Sequence, residues 1–469
     1  MSRPNCALAF LVGGLVGGLA ACGLLPAPAP APPFPGDGVA GFGDSSPVEL
    51  CLGSARVVAP DVVGGAGSVC VPAAVAATPC SDDSACSGIE TCVCGRCLVT
   101  GCAGGAACAA GQVCSGQRCT TACAADGDCA AGETCDSGGC TRSCGSDAEC
   151  HHGELCDALF NVCVTKLCSD AMPCAPGSTC EAEAAAGSLH EPEVATIDGA
   201  AVAYVELDGS AGEAASIYRA RIDGPGRWTA DPGTPVLAAA AAGGPGAGAP
   251  SVLVSGDQVE MYFALGDGQA IAHAVSTDGG RTFTPDAVPV LVPAAPWENG
   301  WVGSPAAVRF QGATLLFYEG GPRAGVGLAR VDAGVATRAA GPIVTPATAT
   351  DPFFWRDVTQ VGAPYAVVAG DALRVYFTGR GVEGSDALVA DAAVPADPND
   401  SIGLVASLDG ATFVPYPAGP VYARVTNLRA YLGEREAAVQ LAPGGGAQIT
   451  FVSTDSSGTS ESGLAQAGE

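Results

Sequence analysis

Residues 248–291 read Gly248-Ala-Pro-Ser-Val252, Val259-Glu-Met-Tyr-Phe263, Ile271-Ala-His-Ala-Val-Ser-Thr-Asp-Gly279 and Val288-Pro-Val-Leu291, with short turn-rich segments between these runs. Each run is apolar and only a few residues long, and Gly, Pro or Asp stands near its ends. Short runs of β-branched and aromatic residues with such boundaries are typical of β-strands. The stretch therefore predicts four consecutive strands joined by tight turns.

The same order of runs occurs five times between residues 185 and 469, with the first and last copies less regular. In the third copy, for example, Gly303-Ser-Pro-Ala-Ala-Val308 precedes Thr314-Leu-Leu-Phe-Tyr318. A repeat of roughly 50 residues with four strands is the sequence mark of a β-propeller. We therefore predict an all-β protein with a five-bladed β-propeller at residues 185–469.

Two turns of these repeats carry an aspartate in a recognisable pattern, the Asp-box S-x-D-x-G-x-T-F/W. Ser276-Thr-Asp-Gly-Gly-Arg-Thr-Phe283 matches it, and Ser407-Leu-Asp-Gly-Ala-Thr-Phe413 is one residue shorter. Turn aspartates usually accept hydrogen bonds from the backbone of their own turn. We therefore expect Asp278 and Asp409 to be structural rather than catalytic.

The cysteines from Cys80 to Cys180 recur in successive blocks with the spacing C-x5-C-x5-C-x4-C. These blocks hold too few apolar residues for a core of their own, so disulfides must stabilise them. Because thiols stay reduced in the cytosol, the pattern indicates an exported protein. We predict a disulfide-rich repeat stalk at residues 79–184. A small β element at residues 49–78, closed by a Cys51–Cys70 disulfide, is expected before it.

A metal site is the alternative for the densest part of this cysteine ladder. Cys92, Cys94 and Cys97 are spaced closely enough for zinc ligands, and His151-His152 follows Cys150. The regular repetition of cysteines in an oxidising compartment favours disulfides instead. We therefore expect neither a metal nor a cofactor.

The N-terminus is typical of a secretory signal at residues 1–21, in which Arg3 precedes an apolar run. Leu19-Ala-Ala-Cys22 resembles a bacterial lipobox, which implies cleavage before Cys22 and lipidation of that residue. Gly23 follows where an inner-membrane retention signal would have Asp. Residues 22–48 are rich in Pro, Ala and Gly and predict an extended tether. The expectation is an extracytoplasmic protein that its lipid anchors in the outer membrane. The alternative is an ordinary signal peptide with a chance cysteine.

The charge of the chain limits its partners. The formal net charge is -28 and the isoelectric point is near 4.2. Nucleic acid is not expected as a partner, because binding a polyanion requires basic patches. The sequence also lacks a phosphate-binding P-loop, a serine nucleophile elbow and a HExxH zinc motif.

Both halves of the chain resemble known families. The cysteine blocks resemble the Dickkopf N-terminal region and EGF-like repeats, and the EGF resemblance implies pairing of the first cysteine with the third and the second with the fourth. The five strand repeats resemble the five-bladed propellers of glycoside hydrolases, of the arabinanase, β-fructosidase and mannoside-phosphorylase types. This resemblance implies a central pocket lined by the first strand of each blade. Carboxyl groups near the starts of these strands would perform the chemistry.

The chain departs from that enzyme pattern in its three middle repeats, which offer Gly, Ala or Ser where the enzymes have acids. The first and last repeats keep Glu191 and Glu434, and the blades that carry them would be neighbours in a closed ring. These two glutamates are the catalytic candidates, with Glu298 as an alternative partner of Glu191. The competing interpretation is that they cap strands or pair with Arg429 and Arg435.

A second set of candidates precedes the third and fourth inner strands at matching offsets. Aromatic rings beside charged groups suit a sugar, because the ring stacks on the aromatic face and the hydroxyls bond to the polar groups. The predicted ligand-binding residues are Trp297, Glu298, Trp355, Arg356 and Asp357. The alternative is that each tryptophan packs between blades.

Three functions remain open from the sequence. The first is a non-catalytic surface protein whose propeller binds a glycan or a protein partner. The second is a glycosidase, and the third is a purely structural envelope protein. The missing acids of the middle repeats favour the first over the second, and the tryptophan motifs favour the first over the third.

Overall fold

A computed structural model gives the fold. It describes residues 46–52, 55–57, 69–73, 75–86, 90–99, 111–115, 118–166, 174–181, 189–207, 214–224, 227–256, 258–266, 268–350, 355–383, 399–417, 419–422, 433–441, 447–454 and 461–468. The predicted signal peptide, the lipidation site Cys22 and most of the tether lie outside these residues. No helix in the described part of the protein is long and apolar enough to cross a membrane.

The N-terminal part of the chain consists of short strands. These are β1 (Ser46–Pro47), β2 (Glu49–Leu52), β3 (Ala55–Val57), β4 (Val69–Pro72), β5 (Glu90–Val93), β6 (Arg96–Val99), β7 (Gln112–Ser115), β8 (Arg118–Thr121), β9 (Glu133–Asp136), β10 (Gly139–Arg142), β11 (Glu154–Asp157), β12 (Val162–Thr165) and β13 (Ser178–Glu181). In the cysteine ladder the strands pair as hairpins, β5 with β6, β7 with β8, β9 with β10 and β11 with β12. Strand β13, at the end of the ladder, instead pairs antiparallel with β4, which precedes the first cysteine block.

The disulfides confirm the pairing within blocks that the EGF resemblance implied. In three blocks the first cysteine bonds to the third and the second to the last, the extra Cys94 of the first block bonding elsewhere: Cys80–Cys92, Cys86–Cys97, Cys123–Cys135, Cys129–Cys140, Cys144–Cys156 and Cys150–Cys163. Cys92, Cys94 and Cys97 all lie in disulfides, so none of them offers a thiolate to zinc.

The predicted Cys51–Cys70 disulfide is wrong. Cys51 bonds to Cys94, and Cys70 bonds to Cys174. The reason is that the strands of the two cysteines belong to different sheets. Strand β2 joins the first unit of the propeller, whereas β4 pairs with β13 at the end of the ladder.

The C-terminal part of the chain is built from longer strands. These are β14 (Leu189–Ile197), β15 (Ala200–Leu207), β16 (Ser216–Gly224), β17 (Arg227–Ala230), β18 (Ala247–Ser255), β19 (Gln258–Leu265), β20 (Ala270–Ser276), β21 (Thr284–Pro285), β22 (Val302–Phe310), β23 (Ala313–Gly320), β24 (Gly325–Asp332), β25 (Val335–Arg338), β26 (Trp355–Ala369), β27 (Ala372–Glu383), β28 (Asn399–Ser407), β29 (Val414–Pro415), β30 (Gly433–Leu441), β31 (Ala447–Thr454) and β32 (Glu461–Gly468). Two short helices, α1 (Ala239–Ala242) and α2 (Pro346–Ala349), lie between them.

These strands form consecutive antiparallel units, and the units form a propeller. Strands β14 to β17, β18 to β21, β22 to β25 and β26 to β29 make the first four units. Strands β30 to β32 make the fifth, and β1 completes it by pairing antiparallel with β32. The last two units share one sheet because a single parallel bridge, Asp400 to Gly433, joins β28 to β30. The all-β fold and the propeller are thus confirmed.

The first strands of the five units form the inner ring of the propeller. Each contacts the first strand of the unit on either side, and β14 contacts both β18 and β30, which closes the ring. Each of these strands also breaks register at the same place. A residue with positive φ occupies each break: Glu191 (45°), Ala249 (47°), Ser304 (41°), Ala363 (42°) and Glu436 (55°). A bulge of this kind re-aims a side chain out of the strand pattern.

Strands that precede the cysteine ladder extend the propeller as well. Strand β2 runs parallel to β17 at the outer edge of the first unit, and β3 pairs with β2. Val48 and Leu50 are fully buried in the same hydrophobic cluster as Val205 and Phe451. The sequence analysis assigns Val48 to the tether and Leu50 to a separate β element. In the structure both side chains are instead buried against the first and last units of the propeller.

Candidate functional site

The bulges bring two acids to equivalent positions in neighbouring units. Glu191 occupies the bulge of β14 and Glu436 the bulge of β30. The backbone N–H of Glu191 donates a hydrogen bond to Glu436 Oε2 at 3.2 Å. Both side chains are only partly exposed to solvent. Glu191, a candidate from the sequence, therefore lies beside a second carboxylate in the inner ring.

The carboxylate that contacts Glu191 in the described part of the structure is that of Glu436, at the bulge of β30. Glu434 lies two residues before the bulge of β30, where it is paired with Ser453, and its side chain is outside the described part of the structure. A sequence signal for the bulge residue exists in the first four repeats, where that residue directly precedes a proline: Pro192, Pro250, Pro305 and Pro364. In the fifth repeat Ala437 replaces the proline, so that signal is lost.

A serine from a third unit completes the contacts of Glu191. Ser304 occupies the bulge of β22, and its Oγ donates a hydrogen bond to Glu191 Oε1 at 2.6 Å. Strands β14 and β22 belong to the first and third units, which the second unit separates. The hydrogen bond therefore reaches across the inner ring and holds one oxygen of the carboxyl group.

Side chains of one unit accept hydrogen bonds from the bulge of the next unit at three places in the inner ring. The N–H of Ala249 donates to Glu206 Oε2 at 2.8 Å. The N–H of Ala363 donates to Glu319 Oε2 at 2.8 Å in the same way. Each acceptor lies near the end of the second strand of the preceding unit, and Thr378 Oγ1 takes the same role for the N–H of Glu436 at 2.9 Å. These side chains satisfy the backbone groups that the bulges free from the strand ladder.

Burial and neighbouring charges shift the pKa of the Glu191 carboxyl group. Burial raises the pKa of Glu191 well above its ordinary value, and the neighbouring charge of Glu436 raises it further. The hydrogen bond from Ser304 acts in the opposite direction, and the charges of Glu206 and Glu319 add to the rise. Burial also raises the pKa of Glu319, against the hydrogen bonds from the backbone of Ala363 and Arg323.

Basic groups accompany this acidic cluster. His190 Nδ1 lies 3.7 Å from Glu436 Oε2, with both side chains largely buried. The guanidinium group of Arg323 donates to both carboxylate oxygens of the buried Asp400, at 2.9 and 3.0 Å. A buried carboxylate is stable only with such partners. The inner ring thus offers one carboxyl group that favours the proton and a second carboxylate with a histidine beside it.

The structure places the two predicted tryptophans in packing positions. Trp355 is 1% exposed and stacks on Phe377, with ring centroids 5.9 Å apart. A Cβ atom at Gly379 or Gly403 would collide with the Trp355 ring, so the glycines leave the space that the ring fills. Trp297 stacks on Tyr318 with ring centroids 5.8 Å apart. These contacts support the alternative in which the tryptophans pack in the core.

Glu298 is held inside its own loop. It is fully buried and accepts hydrogen bonds from the N–H groups of Ala294 and Ala295, at 2.6 and 2.8 Å. Tyr318 Oη and Arg338 Nε each donate to its other oxygen at 2.8 Å. Burial alone would raise the pKa of Glu298, but these hydrogen bonds together lower it. The contacts account for its charge without a ligand.

The last two predicted ligand residues lie at the start of β26. Arg356 Nη1 is 3.3 Å from Asp357 Oδ2, and the Asp357 side chain is largely exposed. Such an exposed pair contributes little to stability. No described hydrogen bond or ion pair joins either residue to Glu191 or Glu436.

The Asp-box aspartates serve their own turns, as predicted. Asp278 Oδ1 accepts from the N–H groups of Arg281 and Thr282, both at 3.0 Å, and Asp409 Oδ1 accepts from Thr412 N–H at 2.7 Å. Although burial acts against it, hydrogen bonding from Ser276 and Thr282 lowers the pKa of Asp278 to about 2.

Comparison with known proteins finds similarity in structure only. No protein-family profile and no curated protein matches the chain. A solved BT0996 RGII complex is 15% identical with a TM-score of 0.46, covering 60% of this protein and 87% of that one. A glycosyl hydrolase from Bacteroides ovatus is 14% identical with a TM-score of 0.45, covering 60% and 84%. An exo-1,5-α-L-arabinanase from a bovine ruminal metagenomic library is 16% identical with a TM-score of 0.41, covering 60% and 91%. Values this low carry no argument about activity.

Proposed function

We propose that the inner ring of the propeller binds a carbohydrate and cleaves a glycosidic bond, with Glu191 and Glu436 as its carboxyl pair. One observation carries this proposal. Two acids occupy equivalent bulges of neighbouring units, the backbone N–H of Glu191 donates to the carboxylate of Glu436, and burial raises the pKa of Glu191. Glycoside hydrolysis generally requires two carboxyl groups with different protonation states.

The geometry suggests a role for each acid. Glu191 would donate the proton to the leaving oxygen, since its raised pKa favours the protonated form. Ser304 fixes Glu191 Oε1, so Oε2 is the oxygen left to carry that proton. Glu436 would act as the base or the nucleophile, with His190 near its Oε2 atom.

Non-catalytic binding of a glycan or a protein partner is the second candidate. It is favoured by Ala249, Ser304 and Ala363, which occupy the three other bulges and offer no carboxyl group. In this case the acidic ring would recognise hydroxyl groups without bond cleavage.

One experiment separates the two candidates. The full-length protein and its E191Q and E436Q variants are assayed on a panel of chromogenic glycosides and on a glycan array. Cleavage that falls by about 100-fold or more in either variant supports the glycosidase, as expected for loss of a general acid or base. Glycan binding without cleavage supports the second candidate. Neither binding nor cleavage contradicts both the glycosidase and the glycan-binding form of the second candidate, and leaves a protein partner as its ligand.

We also propose that the protein is exported and anchored in the outer membrane through lipid on Cys22. The support is the lipobox-like Leu19-Ala-Ala-Cys22 together with the extensive disulfide pairing of the ladder. An oxidising compartment outside the cytoplasm would allow those disulfides to form.

A further inference from the structure

The hairpin of the third cysteine block has a longer turn than the hairpin before it. In the second block, the turn between β9 and β10 consists of Ser137 and Gly138. In the third block, the turn between β11 and β12 consists of residues 158–161. The two central residues of this longer turn are Leu159 and Phe160. The tip of the third hairpin therefore carries two large apolar residues where the second has a serine and a glycine.

Both apolar side chains of the tip are exposed to solvent on an ordered backbone. Leu159 is 80% exposed and Phe160 is 69% exposed. The N–H of Leu159 donates to Asp157 Oδ1 at 2.8 Å, and the N–H of Asn161 donates to the Asp157 carbonyl oxygen at 2.7 Å. The N–H of Cys144 donates to the Asn161 carbonyl oxygen at 2.9 Å, which ties the turn to the start of its block. Because the turn is already ordered, binding through it costs little conformational entropy.

The size of the apolar tip distinguishes between two kinds of partner. Two large side chains offer about 300 Å² of apolar surface together. Each partner in a stable protein interface contributes about 800 Å², so the tip alone is too small for one. A lipid bilayer requires no complementary surface, and peripheral proteins bury phenylalanine and leucine side chains at its headgroup boundary. The small area therefore favours a bilayer.

The charge around the tip indicates which bilayer surface it suits. Residues 143–165 contain no lysine or arginine and four acids: Asp147, Glu149, Glu154 and Asp157. The nearest cations in the chain are Arg142 and Lys166. Arg142 Nη1 lies 3.3 Å from His151 Nε2, and Lys166 follows the end of β12 that is farthest from the turn. Attraction to anionic lipids requires clustered basic residues. The tip therefore suits a zwitterionic surface.

We propose that Leu159 and Phe160 insert into the headgroup region of a zwitterionic lipid bilayer, as a membrane contact separate from the lipid proposed on Cys22. Two side chains give weak and reversible binding, so the tip would orient the cysteine ladder on a membrane that is already close. The proposal rests neither on the carboxyl pair of the inner ring nor on lipidation.

Vesicle sedimentation tests this contact with the full-length C22A variant, which lacks the proposed lipidation site. C22A is expected to bind vesicles of phosphatidylcholine. C22A/L159S/F160S should lose about ten-fold or more in partition coefficient, because two apolar side chains no longer leave water. The matched control is C22A/V288S, which replaces a 72% exposed valine of the propeller and should bind as C22A does. No binding by C22A, equal binding by C22A/L159S/F160S, or an equal loss in C22A/V288S overturns the proposal.

Two further measurements identify the lipid surface and the inserted residue. Adding phosphatidylglycerol to the vesicles should not tighten binding. Tighter binding that persists in C22A/L159S/F160S assigns the contact to a basic surface elsewhere and overturns the proposal. The tryptophan emission of C22A/F160W should shift to shorter wavelength when phosphatidylcholine vesicles are added, relative to that of C22A, and an unshifted emission overturns it.

Sedimentation velocity without vesicles tests a second copy of the chain as the competing occupant. If C22A binds no vesicles but self-associates with increasing concentration, and C22A/L159S/F160S does not, the tip contacts another copy and the membrane proposal is overturned.

Discussion

Ser304 donates a 2.6 Å hydrogen bond to Glu191, although the second unit of the propeller separates the units of these two residues. Each residue has a positive φ in the bulge of an inner strand, and both bulges direct their side chains toward one another. This hydrogen bond lowers the pKa of Glu191, so the protonation of Glu191 depends on how the first and third units are positioned.

Replacing Ser304 by Ala should change the pH dependence of the site. The Ser304 hydrogen bond lowers the pKa of Glu191, so its removal allows the proton to remain to higher pH. The alkaline limb of the kcat/KM profile on a cleaved glycoside is expected to move to higher pH. The control is S251A, which removes a buried serine that accepts from Ala307 N–H instead. An unmoved alkaline limb in S304A would argue against Glu191 as the proton donor.

Replacing Glu191 by Gln should remove a pH-dependent destabilisation. The raised pKa means that the folded protein binds this proton more tightly than the unfolded chain, whose carboxyl titrates near 4.5. Stability from this group is therefore present at low pH and is lost as pH rises through the folded pKa. Melting curves should show that E191Q gains Tm over the wild type at pH 8 and not at pH 4. The exposed Asp332→Asn serves as the control, and a gain of equal size at both pH values would contradict the prediction.

Replacing Gly362 by Ala should destabilise the joint between the third and fourth units. A Cβ at Gly362 would collide with the Glu319 carboxylate, which accepts from Ala363 N–H. The expected cost is about 1 to 3 kcal/mol, the scale of overpacking. G341A, where a Cβ meets no atom, is the matched control. Chemical denaturation measures both, and a second substitution, E319A, should relieve part of the G362A strain.

Replacing Trp355 by Ala should lower stability rather than ligand affinity. The ring is buried against Phe377, Gly379 and Gly403, so its loss leaves a large cavity. The expected cost is about 3 to 5 kcal/mol, and W355F should cost less because it keeps part of the ring contact. Unfolding and glycan affinity are measured on the same samples. A normal Tm with weakened glycan binding would restore Trp355 to the ligand site.

Replacing Cys22 by Ala should abolish lipid attachment. Cells grown with a palmitate analogue are expected to label the wild-type protein and not C22A, because the acyl chains would be carried by this cysteine. Labelling of both proteins to the same extent would refute the anchor, and export without labelling of either would favour an ordinary signal peptide.

The sequence predicted those features that depend on local patterns. The strand repeats, the Asp-box turns of Asp278 and Asp409, and the disulfides within blocks all follow from residues close together in the chain. The Cys51–Cys94 disulfide does not, because it joins two sheets whose packing has no local signal. The position of Glu436 at the bulge could not be predicted, because a bulge shifts the register within one strand. The fifth repeat also lacks the proline that follows the other four bulges.

The closing strand β1 sets the route that a mechanical force would take. Ser46 and Pro47 pair with Gln466 and Ala465, so the polypeptide enters the propeller before it reaches the first cysteine block. The ladder then leaves from the outer edge of the first unit, and the polypeptide returns to the inner strand of that same unit. A pull applied upstream of Ser46 would therefore load the seam between β1 and β32 while the disulfide blocks stay free of tension. Separation of β1 from β32 would remove the fourth strand of the fifth unit and break the contact that joins the N-terminal strand to the end of the propeller.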